Sequence, residues 1–269
     1  RVGPPWYQNF VDIVKLLGKE TIIPQGATAK LTFLSAPFLG LLSAVLVSTI
    51  LGVTVRLPLE SFVGDLIVVL YLLIIPAISI IIGASSSRNP FASIGASREM
   101  KLVLGYELPF ILSIIVVLIK SSGSIQIGSV LNHQINFGAN LVSWSGALAF
   151  IVTIFCMQAK LGFVPFDMSE AEQEIMAGVF IEYSGLPLAI FKLTKAVLLY
   201  TMPLLLIILF WGSNLTPLVL IGKYVTLLVI IILIKNTNPR LRIDQALRFF
   251  WGQMTILAVI AVILATLGY

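Results

Sequence analysis

Five carboxylates fall within sixteen residues of this chain, at Asp167, Glu170, Glu172, Glu174 and Glu182, with no basic residue among them. In bulk water such a run only repels itself. Crowded into a cavity, neighbouring carboxylates raise one another's pKa values and share protons. The flanking stretches 162–166 and 175–181 are apolar and argue for burial against something. The chemistry on offer is therefore a proton entry path or a charge sensor. A solvated acidic loop is the plainer alternative.

Further charges stand inside apolar runs. Glu99 opens the run 99–119 and Glu107 lies eight positions in. That spacing turns a helix by about 80° and climbs about 12 Å, which makes the two acids stations on one side of one helix. Pro109 follows Glu107 and loosens the backbone enough to admit water or a polar partner. Lys192 and Lys195 are three apart on one face of the run 186–211, and Lys223 sits in 217–235. A buried lysine shifts its pKa readily, so these side chains are candidates to neutralise acids or relay protons. Snorkelling from the helix ends is the competing reading.

The elements that must carry these charges follow from composition. Of 269 residues, 58% are hydrophobic and 11% charged, with a mean hydropathy of +1.05. Soluble domains carry about 25% charged residues, so the second apolar solvent this chain requires is lipid. Seven apolar runs are long enough to span a membrane: 31–51, 65–83, 99–119, 143–160, 186–211, 217–235 and 246–268. None alternates with period two, which argues against a β-barrel. The expectation is an all-α integral membrane protein, a single domain over 1–269, with residues 1–30 as a loop bearing an amphipathic helix.

Eleven basic residues lie in one set of connections and only Arg56 and Lys120 in the other. That bias places 1–30, 84–98, 161–185 and 236–245 in the cytoplasm, so the net charge of +5 reads as membrane orientation, not as nucleic-acid binding. The single Cys156 and single His133 cannot hold an iron–sulfur cluster or a structural zinc site alone. Cys156 reads as a packed thiol and His133 as a solvated loop residue. In segment 4–20, Trp6, Phe10, Ile13, Val14 and Leu17 recur at helical spacing after Pro4 and Pro5. This suits a helix lying on the membrane surface or docked against a partner. The chain opens on Arg1, and residues before it are expected to exist.

Four segments together resemble the H-subunit family of complex I. Pro165-Phe166-Asp167, Glu170 through Glu174, Gly178 and Glu182-Tyr183-Ser184-Gly185 resemble its signature loop. Arg1 through Pro5 with Asp12, Lys15 and Lys19 resemble its first cytoplasmic loop. Ala96-Ser97-Arg98-Glu99 with Tyr106-Glu107-Leu108-Pro109 resemble its acidic helix. Pro239 through Gln245, containing Arg240, Arg242 and Asp244, resembles its last cytoplasmic loop.

The resemblance implies eight membrane helices in the family, the first of them outside this sequence. It implies a coupling subunit that joins a membrane arm to a cytoplasmic electron-transfer arm. Partners would be a cluster-bearing small subunit, a catalytic large subunit and antiporter-like membrane subunits, in the cell membrane. Glu99, Glu107, Asp167, Glu170, Glu172, Glu174, Glu182, Lys192 and Lys195 would form the charge relay. Arg1, Asp12, Lys15, Arg240, Arg242 and Asp244 would face partners. Lys195 stands near where complex I members carry a Glu, and Lys192 with Lys195 resembles the branch of membrane-bound nickel–iron hydrogenases and ferredoxin-linked sulfur reductases. Iron–sulfur clusters, and nickel–iron in the hydrogenase case, would then belong to partner subunits, with ferredoxin serving the complex and no cofactor in this chain. The alternatives are a quinone-chamber subunit, a stand-alone ion transporter, and a passive anchor whose charges only bind neighbours.

Overall fold

The computed structural model describes residues 5, 7–24 and 29–268, with the side chains of Asn9, Glu172 and Gln173 outside that description. Arg1, Trp6 and the first proline therefore lie outside the described residues. All regular elements among those described are helical. A short helix α1, Gln8–Leu17, precedes α2, Lys30–Arg56. Two helices, α3 (Asp65–Leu72) and α4 (Ile75–Ser86), form one span broken near Leu73, where Pro76 lacks the N–H that would continue the ladder. The long α5, Pro90–Lys120, follows, then α6, Ile127–Phe137, and α7, Trp144–Lys160. After the acidic segment, which holds the single turn α8 (Glu172–Ile175), come α9, Gly185–Phe210, and α10, Pro217–Thr237. The last span is α11 (Ile243–Arg248), a π-helical turn over Phe249–Met254, and α12 (Thr255–Thr266).

Six of these spans are long and apolar enough to cross a membrane, and the seventeen-residue α7 is a shorter apolar helix. The seven expected runs are thus all helices. Two differences have physical causes. First, α5 begins nine residues before its apolar run. Asn89 caps it by accepting the Phe91 N–H at 2.9 Å, Pro90 fits the first turn, and small residues Ala92, Gly95 and Ala96 bury against the acidic segment. Hydropathy registers the lipid-facing part of a helix, not its full length. Second, the stretch around His133, expected as loop, forms α6. It places His133 on a helix, stacked on Phe137 at 4.6 Å between ring centroids.

The core is the packing of α5 against α4, α7 and α12, and of α2 against α4 and α9. Helix α10 leans on α9 and leaves most of its surface exposed. Helix α1 also rests on α9 and exposes Phe10, Val14 and Leu17. The apolar face read from the sequence is therefore open, as a surface helix requires. Cys156 is fully buried in the core.

Candidate charge-relay site

The acidic segment is folded back onto α5 by close backbone contact. A Cβ at Gly95 would meet the Val179 nitrogen at 2.9 Å and the Ser169 carbonyl at 3.1 Å. Gly178, at φ +47°, would likewise drive a side chain into Ser169. Val179 N–H donates to Ser169 O at 3.3 Å, and Gln158 Nε2 donates to Val164 O at 2.8 Å. Tyr183 anchors the far side: its ring stacks on Phe33 at 4.2 Å and its hydroxyl donates to Phe33 O at 3.0 Å. Burial raises the Tyr183 pKa, which keeps that hydroxyl a donor. Glu182 accepts from Asn89 Nδ2 at 2.6 Å, so one carboxylate of the cluster holds the start of α5.

Folding brings charges from four elements to one narrow cavity. Glu99 and Tyr106 on α5, Lys160 on α7, Glu170 of the acidic segment and Lys195 on α9 all line it. Its volume of about 30 Å³ has room for roughly two waters. Lys195 pairs with Glu170, and its ammonium also sits 5.2 Å from the Phe180 ring centroid. Glu99 is buried within interaction range of Ser169, Glu170 and Lys195. Deeper in, Lys160 Nζ approaches Glu107 Oε2 to 2.8 Å, with 4% and 17% of the two side chains exposed. The same ammonium lies 5.0 Å from the Tyr106 ring and 4.8 Å from the Phe110 ring. Cation–π contact of this kind strengthens when desolvated. Tyr106, fully buried, stands between the two acids of α5.

A second cavity, of about 210 Å³, is lined by other residues of the acidic segment together with Arg98 and residues 240–244. Arg240 pairs with Asp167 at 2.9 Å and Arg98 with Glu174 at 2.5 Å. Arg98 also donates to Met168 O at 3.3 Å, and Leu241 N–H donates to Pro165 O at 3.1 Å. Arg242 and Asp244 line this opening and are exposed. The last connection is thereby fastened to the acidic segment.

The model of the NADH dehydrogenase family matches residues 1–266. The chain belongs to that family. It is 30% identical over 279 residues to the H subunit of the NADH-quinone oxidoreductase of Anoxybacillus flavithermus (strain DSM 21510 / WK1), a match covering 99% of this chain and 82% of the relative. The corresponding protein of Geobacillus sp. (strain WCH70) is 29% identical over the same shares. Among solved structures, the fold is similar to a chain of the membrane-bound sulfane sulfur reductase, an archaeal respiratory membrane complex. The TM-score is 0.84 at 29% identity, covering 98% of this chain and 88% of that one. The protein is a multi-helix membrane protein of the complex I H-subunit family.

Within this family member, the structure gathers Glu99, Glu170 and Lys195 about one cavity, links Glu107 to it through Lys160, and sets Asp167 and Glu174 at a separate surface opening. Glu182 stands apart at the start of α5. Glu172 lies in α8 with its side chain undescribed. Lys192 is exposed and makes no ion pair among the described residues, so the two α9 lysines diverge. Asp12 accepts from Gln8 Nε2 at 3.1 Å within α1, and Lys15 is exposed. Arg1 lies outside the described residues. The residue that sequence reasoning missed is Lys160. It ends an apolar run and so reads as a loop base, and only the packing of α7 on α5 reveals its acid partner.

Proposed function

We propose that this chain is the membrane-embedded coupling subunit of a multisubunit, ferredoxin-linked redox complex of the hydrogenase or sulfur-reductase type. It links electron transfer in a cytoplasmic arm to translocation of protons or sodium ions. The carrying observation is the shared cavity of Glu99, Glu170, Lys195 and Lys160, continued by the Lys160–Glu107 pair inside an apolar bundle. Buried ionisable groups in membrane helices mark ion or proton pathways. The likeness to a chain of the archaeal sulfane sulfur reductase complex supports the branch. The basic bias of the connections supports a cytoplasmic acidic segment and a cell-membrane location. With one Cys and one His in the sequence, the redox centres would reside in partner subunits.

In this reading Asp167 and Glu174 meet the arm that changes redox state, while Arg240 and Arg98 fasten the segment that presents them. A change of charge there shifts the Glu170–Lys195 pair, and Glu99, Tyr106, Lys160 and Glu107 carry the change into the membrane. The reading is tested by Glu107→Gln in the intact complex, in sealed vesicles, with ion movement and electron transfer measured together. Electron transfer is expected to continue while ions moved per electron fall. An unchanged ratio removes Glu107 from the path. Loss of assembly with an intact ratio in what remains favours the passive anchor.

A second reading, a quinone-chamber role, rests on the curated relatives, which belong to NADH-quinone oxidoreductases. The narrow cavity of this chain, about 30 Å³, is small beside the roughly 150 Å³ that admits benzene. A quinone site would need a wall from a partner. Quinone reduction by the purified complex, abolished by a quinone-site inhibitor, would establish it.

A further inference from the structure

The π-helical turn of the last span, Phe249–Met254, packs against α5, the helix that carries Tyr106 and Glu107. Phe250 O accepts the N–H of Thr255 and, at 2.7 Å, its hydroxyl, five residues on instead of the four of an α-helix. The facing part of α5 is irregular too. Pro109 lacks the N–H that would bond the Gly105 carbonyl. Gly105 itself admits the last span closely: a Cβ there would meet Leu247 Cδ2 at 3.2 Å and Phe250 Cβ at 3.8 Å. Trp251 Nε1 donates to Leu104 O at 3.3 Å across the same contact. Two loosened turns are thus set face to face, and Phe250, fully buried, packs where they meet.

The Phe250 ring centroid lies 4.8 Å from that of Phe166 in the acidic segment and 6.3 Å from that of Tyr106, edge to face. Tyr106 in turn sets its ring 5.0 Å from the Lys160 ammonium that pairs with Glu107. Phe166 directly precedes Asp167, which Arg240 holds, and Leu241 N–H bonds Pro165 O. The last connection, the acidic segment and the π turn therefore form one packed body that reaches Tyr106. We propose that Phe250, held in place by Thr255, is a positioning residue for the Lys160–Glu107 pair. It carries displacement of the acidic segment to Tyr106, and so to the ammonium that Tyr106 faces. The proposal rests on the coupling role proposed above and gives the charge cavity a mechanical companion. Turns of π-helix interrupt α-helices rarely and recur at functional sites. Closely packed side chains transmit displacement because the interior is dense and barely compressible. Packing alone needs no widened turn: the fully buried Phe210 meets Phe150 edge to face at 5.7 Å from regular helices.

The test measures ions moved per electron, electron-transfer rate and thermal stability of the intact complex in sealed vesicles. Phe250→Leu removes the ring, Thr255→Val removes the hydroxyl that holds the π turn, and Thr255→Ser keeps that hydroxyl. Phe210→Leu is the control for an equally buried ring, and Glu107→Gln reports on the coupling role itself. Phe250→Leu and Thr255→Val are expected to lower ions per electron about twofold or more while electrons still flow. Thr255→Ser and Phe210→Leu are expected to keep the wild-type ratio. If Phe250→Leu fails to assemble, the two Thr255 variants, which leave every ring in place, decide. A wild-type ratio in Phe250→Leu, or in Thr255→Val where only that variant assembles, overturns the positioning role. If Glu107→Gln lowers the ratio in the same experiment, the coupling role stands without it; if Glu107→Gln does not, both fall. An equal fall in Phe210→Leu or Thr255→Ser marks general loosening of the bundle and also overturns the proposal.

Discussion

Lys160 and Lys223 are both buried lysines on apolar helices, and their surroundings differ in kind. Lys223 donates to Trp211 O at 2.6 Å and Asn214 O at 2.7 Å, with its ammonium 5.5 Å from the Trp211 ring. It closes the end of α9. Gln134 does the same work nearby, donating to Ile208 O at 2.8 Å and accepting the Gly212 N–H at 2.8 Å. These partners are backbone groups that cannot change charge. Lys160 faces an acid, two aromatic rings and a cavity shared with another ion pair. A charge fixed to carbonyls serves the fold, whereas a charge fixed to a titratable acid can exchange a proton or a partner. Burial alone, the signal hydropathy supplies, does not separate the two.

Substitution at the first lysine is the most forceful way to break this contrast. Lys160→Met strands Glu107 in a buried site, and removing one partner of a buried pair costs about 3–5 kcal/mol. A large fall in thermal stability or yield of the complex is expected. The double variant Lys160→Met with Glu107→Gln replaces the pair by neutral groups and should recover most of that stability. If the pair only supports the fold, ion movement per electron recovers as well. If it carries the signal, stability returns and ion movement stays low. Lys223→Met is the matching change at the other end. It leaves two carbonyls without their donor and should cost about 1–3 kcal/mol. Ions moved per electron in the assembled complex should remain at the wild-type value. A drop in that ratio would erase the distinction between the two lysines.

The spans were legible because lipid imposes a long apolar run on every crossing helix, and all seven runs became helices. The acidic cluster and the intramembrane glutamates were legible because charge stands out in so apolar a chain. What stayed hidden was pairing. Glu107 and Lys160 are 53 positions apart, and nothing local marks Lys160 as other than a helix-end base. Lys192 and Lys195 look equivalent by spacing, yet about 60° of rotation separates them on a helix. That rotation leaves one on Glu170 and the other exposed. Helix α6 was missed because its Asn, His and Gln residues lower its hydropathy, while Gln134 turns inward to hold the end of α9.

The smallest expected effect sharpens the comparison within the acidic segment itself. Glu170 and Glu174 lie four residues apart and each meets a base, but Glu170–Lys195, about a quarter exposed, lines the narrow cavity of Glu99 and Lys160, whereas Glu174 is 58% exposed against Arg98. An exposed pair contributes about 0–1 kcal/mol and weakens further as salt screens it. Arg98→Gln should therefore leave thermal stability within that margin, with the remaining difference fading at high ionic strength. Arg98 also holds Met168 O, and glutamine retains a donor for that carbonyl. Ion movement per electron should be preserved if a place in that shared cavity, not mere proximity of opposite charges, defines the relay. Should Arg98→Gln uncouple the complex as strongly as the paired change at Lys160 and Glu107, the relay must extend to the surface opening. The boundary drawn by the cavity wall would then be in the wrong place.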